Sequence, residues 1–316
     1  MSEKDPLVII TGPTSVGKSE LSVMLAKKCS GEIISADSMQ VYRKMNIGTA
    51  KITDKEMQGV PHYLIDCFPP EYPFNVSEFQ FMAKKAVNDI LKHSHLPIVA
   101  GGTGFYIQSL VYDIDFKEEK DDGYRQKLEA IALTTVGTEK LYKELCIIDP
   151  ESADTIHVKN VKKIIRALTY YHYHNEPISK HNKEEREKTM AYNTAYFVLT
   201  MDRTKLYDRI EKRVDKMISN GLVEEVQILL NSGLPENSVS MQGIGYKEIA
   251  SYISGKTTLE NAVYEIKENT RHFAKRQLTW FRREKDVIWI NKDDYKSDQE
   301  ILDFMINTMK NKSVII

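Results

Sequence analysis

A phosphate-binding loop near the start of the chain constrains the fold more than any other feature. Residues 12–19 read GPTSVGKS and match the GxxxxGK(S/T) pattern at every fixed position. An apolar segment, residues 8–11, precedes the loop, and a segment with helical character, residues 20–28, follows it. Glycines in such a loop let backbone N–H groups turn toward phosphate oxygens at the positive end of a helix. The chain is therefore predicted to bind a substrate that carries a di- or triphosphate.

The side chains of this loop have expected roles at the phosphates. Lys18 is expected to bridge the distal phosphate groups, and the Ser19 hydroxyl is expected to bind Mg²⁺. The sequence thus indicates Mg²⁺ as its cofactor. The predicted diphosphate-binding residues are the eight of the loop: Gly12, Pro13, Thr14, Ser15, Val16, Gly17, Lys18 and Ser19.

Short apolar segments bounded by turn residues alternate with helical segments along much of the chain. Because their hydrophobic residues are continuous rather than alternating, they indicate a parallel sheet covered on both faces. Together with the loop, they predict an α/β fold, a P-loop NTPase-like parallel sheet flanked by helices. The predicted strands are residues 7–11, 32–36, 63–66, 97–101, 195–200 and 287–290.

The alternation of strands and helices stops near residue 115. Residues 116–193 are polar and read as helices, starting with one predicted at 121–134, before the strand at 195–200 resumes the sheet. We predict a catalytic core of residues 1–115 and 194–316 with an inserted all-helical subdomain at 116–193. One long amphipathic helix is expected after Asp202, ending near Gly233, and a final helix at about 259–284.

Composition excludes several classes of protein. Hydrophobic residues make up 41% and charged residues 28%, which is ordinary for a globular protein. The apolar runs are too short to cross a membrane. Cys29, Cys67 and Cys146 lack the spacing of a disulfide framework or a zinc site. We expect a cytoplasmic protein, active as a monomer and without a membrane partner.

Two more loops follow predicted strands at the same edge of the sheet. Asp37 begins the segment DSMQVYR, and Thr103 lies in GGTG at residues 101–104. A carboxylate at this edge could act as a general base or as an outer-shell ligand of Mg²⁺, although Asp37 could equally cap a helix. Thr103 offers a hydroxyl to the cleft, but a plain strand-to-helix turn explains the glycines equally well.

Cationic residues form two patches with aromatic neighbours, at 159–188 and 267–285. Such patches suit phosphate contacts and base stacking on RNA, or else they are solvated helix faces with aromatic residues in the core. Arg209 and Arg213 lie one turn apart on the long predicted helix. They could point at a transferred or leaving phosphate, or pair with glutamates of the same helix such as Glu211 or Glu225.

The motifs together resemble the tRNA dimethylallyltransferase family, also called tRNA isopentenyltransferase, of the bacterial type. The eukaryotic members' C-terminal zinc-finger extension has no counterpart here. The resemblance covers nearly the whole chain. The matching segments are residues 12–19, 37–43, 47–51, 59–66, 101–107, 166–168, 242–248 and 270–282.

This resemblance implies transfer of a dimethylallyl group from dimethylallyl diphosphate to the exocyclic amine of the adenosine just 3′ of the tRNA anticodon. It implies that Asp37 is the general base, that Thr103 contacts substrates at the reaction centre, and that the P-loop holds the leaving diphosphate with Mg²⁺. Lys18, Ser15 and Ser19 would stabilise that diphosphate. The candidate catalytic residues are Asp37, Thr103, Lys18, Arg209 and Arg213.

The implied partner is tRNA, bound through its anticodon stem-loop. Gln40 would help to recognise a flipped-out adenine. The family's usual arginine pair before residue 166 reads Lys162-Lys163 here, which keeps the charge and loses bidentate geometry. The predicted tRNA-binding residues are Asp37, Ser38, Met39, Gln40, Thr103, Lys162, Lys163, Ile164, Ile165, Arg166, Gln242, Gly243, Ile244, Gly245, Tyr246, Lys247, Arg271, Lys275 and Arg276.

Two alternative functions are open at this point. A nucleotide or small-molecule kinase would share the P-loop architecture and would bind ATP tightly. A non-catalytic P-loop RNA-binding protein would keep its function without Asp37. No glutamate placed to activate water for NTP hydrolysis is evident in the sequence, which favours group transfer over hydrolysis.

Overall fold

A parallel sheet carries the phosphate loop. The computed structural model describes residues 4–117 and 122–315, and in this part of the chain six strands pair in the order β3-β2-β4-β1-β5-β6, every pair parallel. The predicted α/β fold is confirmed. The strands are β1 (Pro6–Thr11), β2 (Gly31–Ala36), β3 (His62–Tyr63), β4 (Leu96–Gly101), β5 (Asn193–Thr200) and β6 (Ile288–Asn291).

Helices connect these strands and form a group of their own between β4 and β5. None of the helices in the described residues is both long and apolar enough to cross a bilayer. They are α1 (Lys18–Cys29), α2 (Asp54–Met57), α3 (Val76–Lys92), α4 (Gly104–Val111), α5 (Tyr124–Ile131), α6 (Thr135–Ile148), α7 (Pro150–Thr155), α8 (Val161–His174), α9 (Ile178–Glu187), α10 (Arg203–Ser219), α11 (Leu222–Asn231), α12 (Tyr246–Ile253), α13 (Leu259–Phe281) and α14 (Asp298–Asn311).

Strand β1 shows why its sequence is continuously apolar. Leu7 and Ile9 pack into one hydrophobic layer, whereas Val8 and Ile10 pack into a second layer on the opposite face of the sheet. All four side chains are fully buried. Each face of a parallel sheet must be covered, so both sets of alternating positions have to be hydrophobic.

The pairing register brings three loops together at the carboxyl edge of the sheet. Ile10 of β1 pairs with Ala100 of β4, and Ala36 of β2 pairs with Gly101 of β4. Strands β2, β4 and β1 therefore end side by side, and the loops that follow them leave the sheet as neighbours. The Thr11 hydroxyl reinforces the junction by donating a 2.7 Å hydrogen bond to Gly101 O.

The chain separates into two units. One contains the residues up to Asp113 together with those from Met190 onward, and it includes the sheet. The other, residues 114–189, is helical where it is described and has its own apolar core around Leu141, Leu145 and Leu168. Residues 118–121, which include the predicted start of a helix at Asp121, lie outside the described residues.

Several element predictions were wrong for local backbone reasons. The long helix predicted after Asp202 is two helices, α10 and α11, because Gly221 adopts a φ of +96° between them. The strand predicted at 63–66 ends at Tyr63, since Leu64 and Asp66 both have positive φ. Helices α12 and α14 were not predicted at all.

Candidate active site

The phosphate loop has the backbone geometry that its glycines require. Gly12 and Gly17 have φ values of +139° and +96°, a range that side chains rarely tolerate. A Cβ at Gly12 would collide with Leu199 O of β5. Gly17 is the N-cap of α1, so the backbone N–H groups of the first turn are available to an anion.

Lys18 bonds to carbonyl groups of its own loop. Its Nζ donates to Gly12 O at 3.1 Å and to Pro13 O at 2.8 Å. Burial, together with the nearby Arg213 guanidinium, lowers the pKa of Lys18 to about 7, while Asp37 acts in the opposite direction. A bound diphosphate would supply negative charge next to this side chain and so favour its ammonium form.

Asp37 and Thr103 are joined through the backbone between them. Asp37 Oδ1 accepts from the backbone N–H groups of Met39 at 2.9 Å and Gln40 at 3.3 Å. Thr103 Oγ1 accepts from Ser38 N at 3.2 Å. Asp37 does not cap a helix, because residues 38–40 form a turn. Its carboxylate instead accepts within that turn and also lines the central cavity.

A cavity of about 450 Å³ lies against these loops in the unit that contains the sheet. Its apolar wall includes Phe74, Val214, Met217, Ile266 and Phe273. The lining thus combines apolar side chains with polar ones, among them Thr14 of the phosphate loop. The predicted site residues that line it are Thr14, Asp37, Ser38, Met39, Thr103, Arg213, Gln242, Gly243, Ile244, Tyr246, Lys247 and Arg276.

The two arginines of α10 occupy different places. Arg213 lines the cavity and donates to Thr49 O at 3.3 Å; burial lowers its pKa, and Asp37 opposes that effect. Arg209 lies over the loop, where a methyl group added at Gly17 would be 3.6 Å from its guanidinium. The glutamates considered as their partners are engaged elsewhere: Glu211 pairs with Arg271 at 2.8 Å, and Glu225 accepts backbone N–H groups.

The remaining predicted residues do not line the cavity. Arg271 is bound to Glu211, and Lys162, Lys163 and Arg166 are exposed on α8 of the helical unit. Others outside the lining are Pro13, Ser15, Val16, Gly17, Lys18, Ser19, Gly12, Gln40, Arg209, Gly245 and Lys275.

Two predicted tRNA contacts need correction. Ile164 and Ile165 are 0% and 5% exposed and pack in the core of the helical unit, so their side chains face no ligand. They fall between exposed cations because helix α8 turns one face inward and the other outward. The cationic residues on either side of them are exposed, and their tRNA contact stays a prediction.

The structure adds three residues that sequence reasoning missed. Lys292 follows β6, and its Nζ would lie 3.1 Å from a methyl group at Gly17. Gln277 of α13 accepts from the loop at Thr14 N. Glu225 fixes the segment before Thr49. Lys292 directly follows a strand, and this position at the carboxyl edge of the sheet could have indicated its role. Nothing in the sequence indicated the roles of Gln277 and Glu225.

Glu225 orders a segment that borders the cavity. Its carboxylate accepts the Tyr246 hydroxyl at 2.7 Å. It also accepts three consecutive backbone N–H groups at 2.8, 2.8 and 3.1 Å, from Asn46, Ile47 and Gly48. Because Thr49 O, next along the chain, accepts from Arg213, this carboxylate indirectly positions a cavity arginine.

The oxygen donors fit Mg²⁺ only in combination with a phosphate. Among the described residues no group of three or more His, Cys, Asp or Glu side chains could hold a metal ion. Ser19 is exposed at the start of α1 and offers one hydroxyl oxygen. Mg²⁺ commonly uses one or two protein ligands together with substrate phosphate oxygens and water.

The chain is similar to a known protein family over most of its length. The family model for IPP transferase matches residues 40–284. The chain is 54% identical over 311 residues to a tRNA dimethylallyltransferase of Lachnoclostridium phytofermentans, covering 98% of this chain and 99% of that protein. It is 47% identical over 312 residues to a tRNA dimethylallyltransferase of Bacillus cereus, covering 98% of each.

Two solved structures superpose on this chain. The full-length tRNA isopentenylpyrophosphate transferase from Bacillus halodurans superposes with a TM-score of 0.74 at 42% identity and covers 98% of both chains. A eukaryotic dimethylallyltransferase acting on tRNA superposes with a TM-score of 0.83 at 27% identity, over 97% of this chain and 80% of that chain.

Proposed function

Because the chain belongs to the IPP transferase family, we propose that it transfers a dimethylallyl group from dimethylallyl diphosphate to tRNA. The acceptor is the exocyclic amine of the adenosine just 3′ of the anticodon, and the product is isopentenyladenosine. One observation carries this proposal: a single cavity is lined by Thr14 of the phosphate loop, by Asp37 and by a set of apolar side chains. The activity belongs in the cytoplasm, and one chain supplies the complete cavity.

Asp37 is the proposed general base. The amine nitrogen attacks the allylic carbon of the donor, the bond from that carbon to the diphosphate oxygen breaks, and the amine proton passes to the Asp37 carboxylate. Its Oδ1 is held by two backbone N–H groups, so the carboxylate is fixed before substrate arrives. Thr103, tied to Ser38 N, lies beside it at the same cavity.

Cations surround the proposed leaving group. The diphosphate develops charge as the carbon–oxygen bond breaks, and donors already in place stabilise that charge most effectively. Arg213 lines the cavity and lies near Lys18 of the loop, while Arg209 and Lys292 lie over Gly17. Mg²⁺, held by Ser19 and phosphate oxygens, would supply further positive charge.

The apolar wall suits the hydrocarbon part of the donor. Val214, Met217 and Phe273 present carbon surface to the same cavity that Asp37 and Thr14 border. Burying a five-carbon allyl group there removes apolar area from water and excludes water from the allylic centre. Nucleotide pockets are also largely apolar, so it is the family of the chain, and not this wall, that favours the prenyl donor over ATP.

Exposed cations and the 242–247 segment are the proposed tRNA contacts. Lys162, Lys163 and Arg166 are exposed on one helix and can neutralise backbone phosphates. Gln242 and Lys247 border the cavity into which the adenine must enter. An adenosine inside a stacked anticodon loop has to flip outward before its amine can react.

An isosteric change at Asp37 tests this function. Asp37→Asn keeps an acceptor for Met39 N and Gln40 N but removes the base, so kcat for prenyl transfer should fall by about 10² to 10⁴-fold. Binding of tRNA, measured by filter retention, should stay within about twofold, since no charge-assisted phosphate contact is lost. Unchanged transfer by the variant would contradict the role of Asp37 as general base.

A further inference from the structure

One buried side chain bonds to both halves of the site. Gln277 is 6% exposed on α13. Its Oε1 accepts from Thr14 N of the phosphate loop at 2.9 Å, and its Nε2 donates to Gly102 O at 2.9 Å. The two bonded groups belong to loops that follow different strands, β1 and β4, so a single amide spans the gap between them.

The second loop leads directly to the reacting groups. Gly102 precedes Thr103, whose Oγ1 accepts from Ser38 N next to Asp37. A shift of the Gly102 carbonyl would therefore move the Thr103 hydroxyl and the backbone of the Asp37 loop. The bond from Thr14 N, in contrast, belongs to the loop that holds the diphosphate.

Helix α13 holds Gln277 rigidly in this position. Ala274 and Phe281, three residues before and four residues after Gln277, are fully buried on opposite layers of the core. Trp280 packs so tightly on Gly104 that a Cβ there would collide with its ring. The helix thus has no freedom to slide along either loop, and the amide has a fixed orientation.

We propose that Gln277 is a positioning residue that sets the distance between the bound diphosphate and the acceptor amine. The inference rests on the proposed function. An amide suits this task because it donates and accepts at once, as the carbonyl on one side and the N–H on the other require. The rate of transfer depends on that spacing, because the attacking nitrogen and the allylic carbon must be held in near-attack contact.

Gln277→Glu gives a test with a built-in rescue. A protonated carboxyl at this position accepts from Thr14 N and donates to Gly102 O, as the glutamine does, whereas the ionised form repels the Gly102 carbonyl. The ratio of variant to wild-type kcat should be close to one at acid pH. It should fall by about tenfold or more as pH rises through the pKa of the introduced carboxyl.

Gln80→Glu is the matched control. Gln80 is also buried in the same unit and donates through Nε2 to a backbone carbonyl, Ser109 O at 2.8 Å, away from the cavity. Its ratio to wild type should not change with pH. A second pair of variants, Gln277→Met and Gln80→Met, replaces the amide by an apolar side chain of about the same length. Gln277→Met should lower kcat without changing tRNA binding, whereas Gln80→Met should leave kcat unchanged.

The outcomes separate this inference from the function on which it rests. If wild-type protein transfers no prenyl group, the proposed function fails. If wild type is active and Gln277→Glu shows a flat ratio, or the same pH response as Gln80→Glu, the positioning role is wrong. A loss of activity that merely follows unfolding, monitored by circular dichroism at each pH, would also overturn it.

Discussion

Lys18 shows how a single residue can be tuned by the site around it. A P-loop lysine in water would be fully charged at neutral pH, but burial and Arg213 bring its pKa to about 7. At neutral pH about half of the Lys18 side chains are therefore uncharged, which lessens the repulsion between Lys18 and the Arg213 guanidinium. Its Nζ donates hydrogen bonds to Gly12 O and Pro13 O.

This arrangement predicts proton uptake when the donor binds. At a pH about one unit above 7, Lys18 is mostly neutral in the free protein, and the diphosphate raises its pKa, so binding should draw in a proton. At a pH about two units below 7 the lysine is already almost fully charged, so the uptake should disappear. Calorimetry in buffers of different ionisation enthalpy measures it directly.

Lys18→Met is the control for that experiment, because the diphosphate itself also exchanges protons. The difference between wild type and Lys18→Met isolates the lysine. Affinity for the donor should weaken with rising pH in the wild type and less so in the variant. Equal proton uptake by both proteins at alkaline pH would show that Lys18 is not the group that titrates.

The break between α10 and α11 shows how an element positions a site. The first helix ends at Ser219, and Gly221, with a φ of +96°, is the N-cap of the second. Glu225 of the second helix accepts from the backbone N–H groups of residues 46–48. Arg213, on the first helix, then donates to Thr49 O of the same segment. The two helices thus each bond to the same segment, residues 46–49, through one side chain.

Removal of Glu225 should loosen that loop. Glu225→Ala leaves three backbone N–H groups and the Tyr246 hydroxyl without their acceptor, and it should lower the free energy of unfolding by about 1–3 kcal/mol. Glu224→Ala, an exposed neighbour on the same helix, should cost little. Urea denaturation of both variants measures the effect; equal stabilities would refute the assigned role of Glu225.

At the scale of the whole molecule, the helical unit is the proposed tRNA platform. Its cations at residues 162, 163 and 166 belong to one exposed helix face, while their isoleucine neighbours fill its core. The net charge of −1 means that attraction to RNA must come from such local patches. The sheet-bearing unit contains the complete cavity.

Charge reversal on that face should weaken tRNA binding selectively. Replacing Lys162, Lys163 and Arg166 together by Glu should raise the KM for tRNA on the order of tenfold or more and flatten its salt dependence. The KM for dimethylallyl diphosphate should not change. The same reversal at three exposed lysines of the unit, Lys127, Lys140 and Lys143, controls for net charge; an equal effect there would argue against the α8 face.

Sequence reasoning predicted the sheet and the phosphate loop because both depend on residues adjacent in the chain. Strand β1 and residues 12–19 carry their own pattern. Gln277 and Lys292 could not be assigned in this way, since their roles depend on contacts with residues 14 and 17 made across more than half of the chain. Likewise, Ile164 and Ile165 belonged to a basic segment by sequence and to a core by packing.

The central claim is that this cavity brings an allylic diphosphate and an adenosine amine together. The most direct test incubates the protein with labelled dimethylallyl diphosphate, Mg²⁺ and unmodified tRNA, without ATP, and then analyses the tRNA nucleosides. The account predicts labelled isopentenyladenosine at the position just 3′ of the anticodon. No prenylated adenosine from well-folded protein would contradict it.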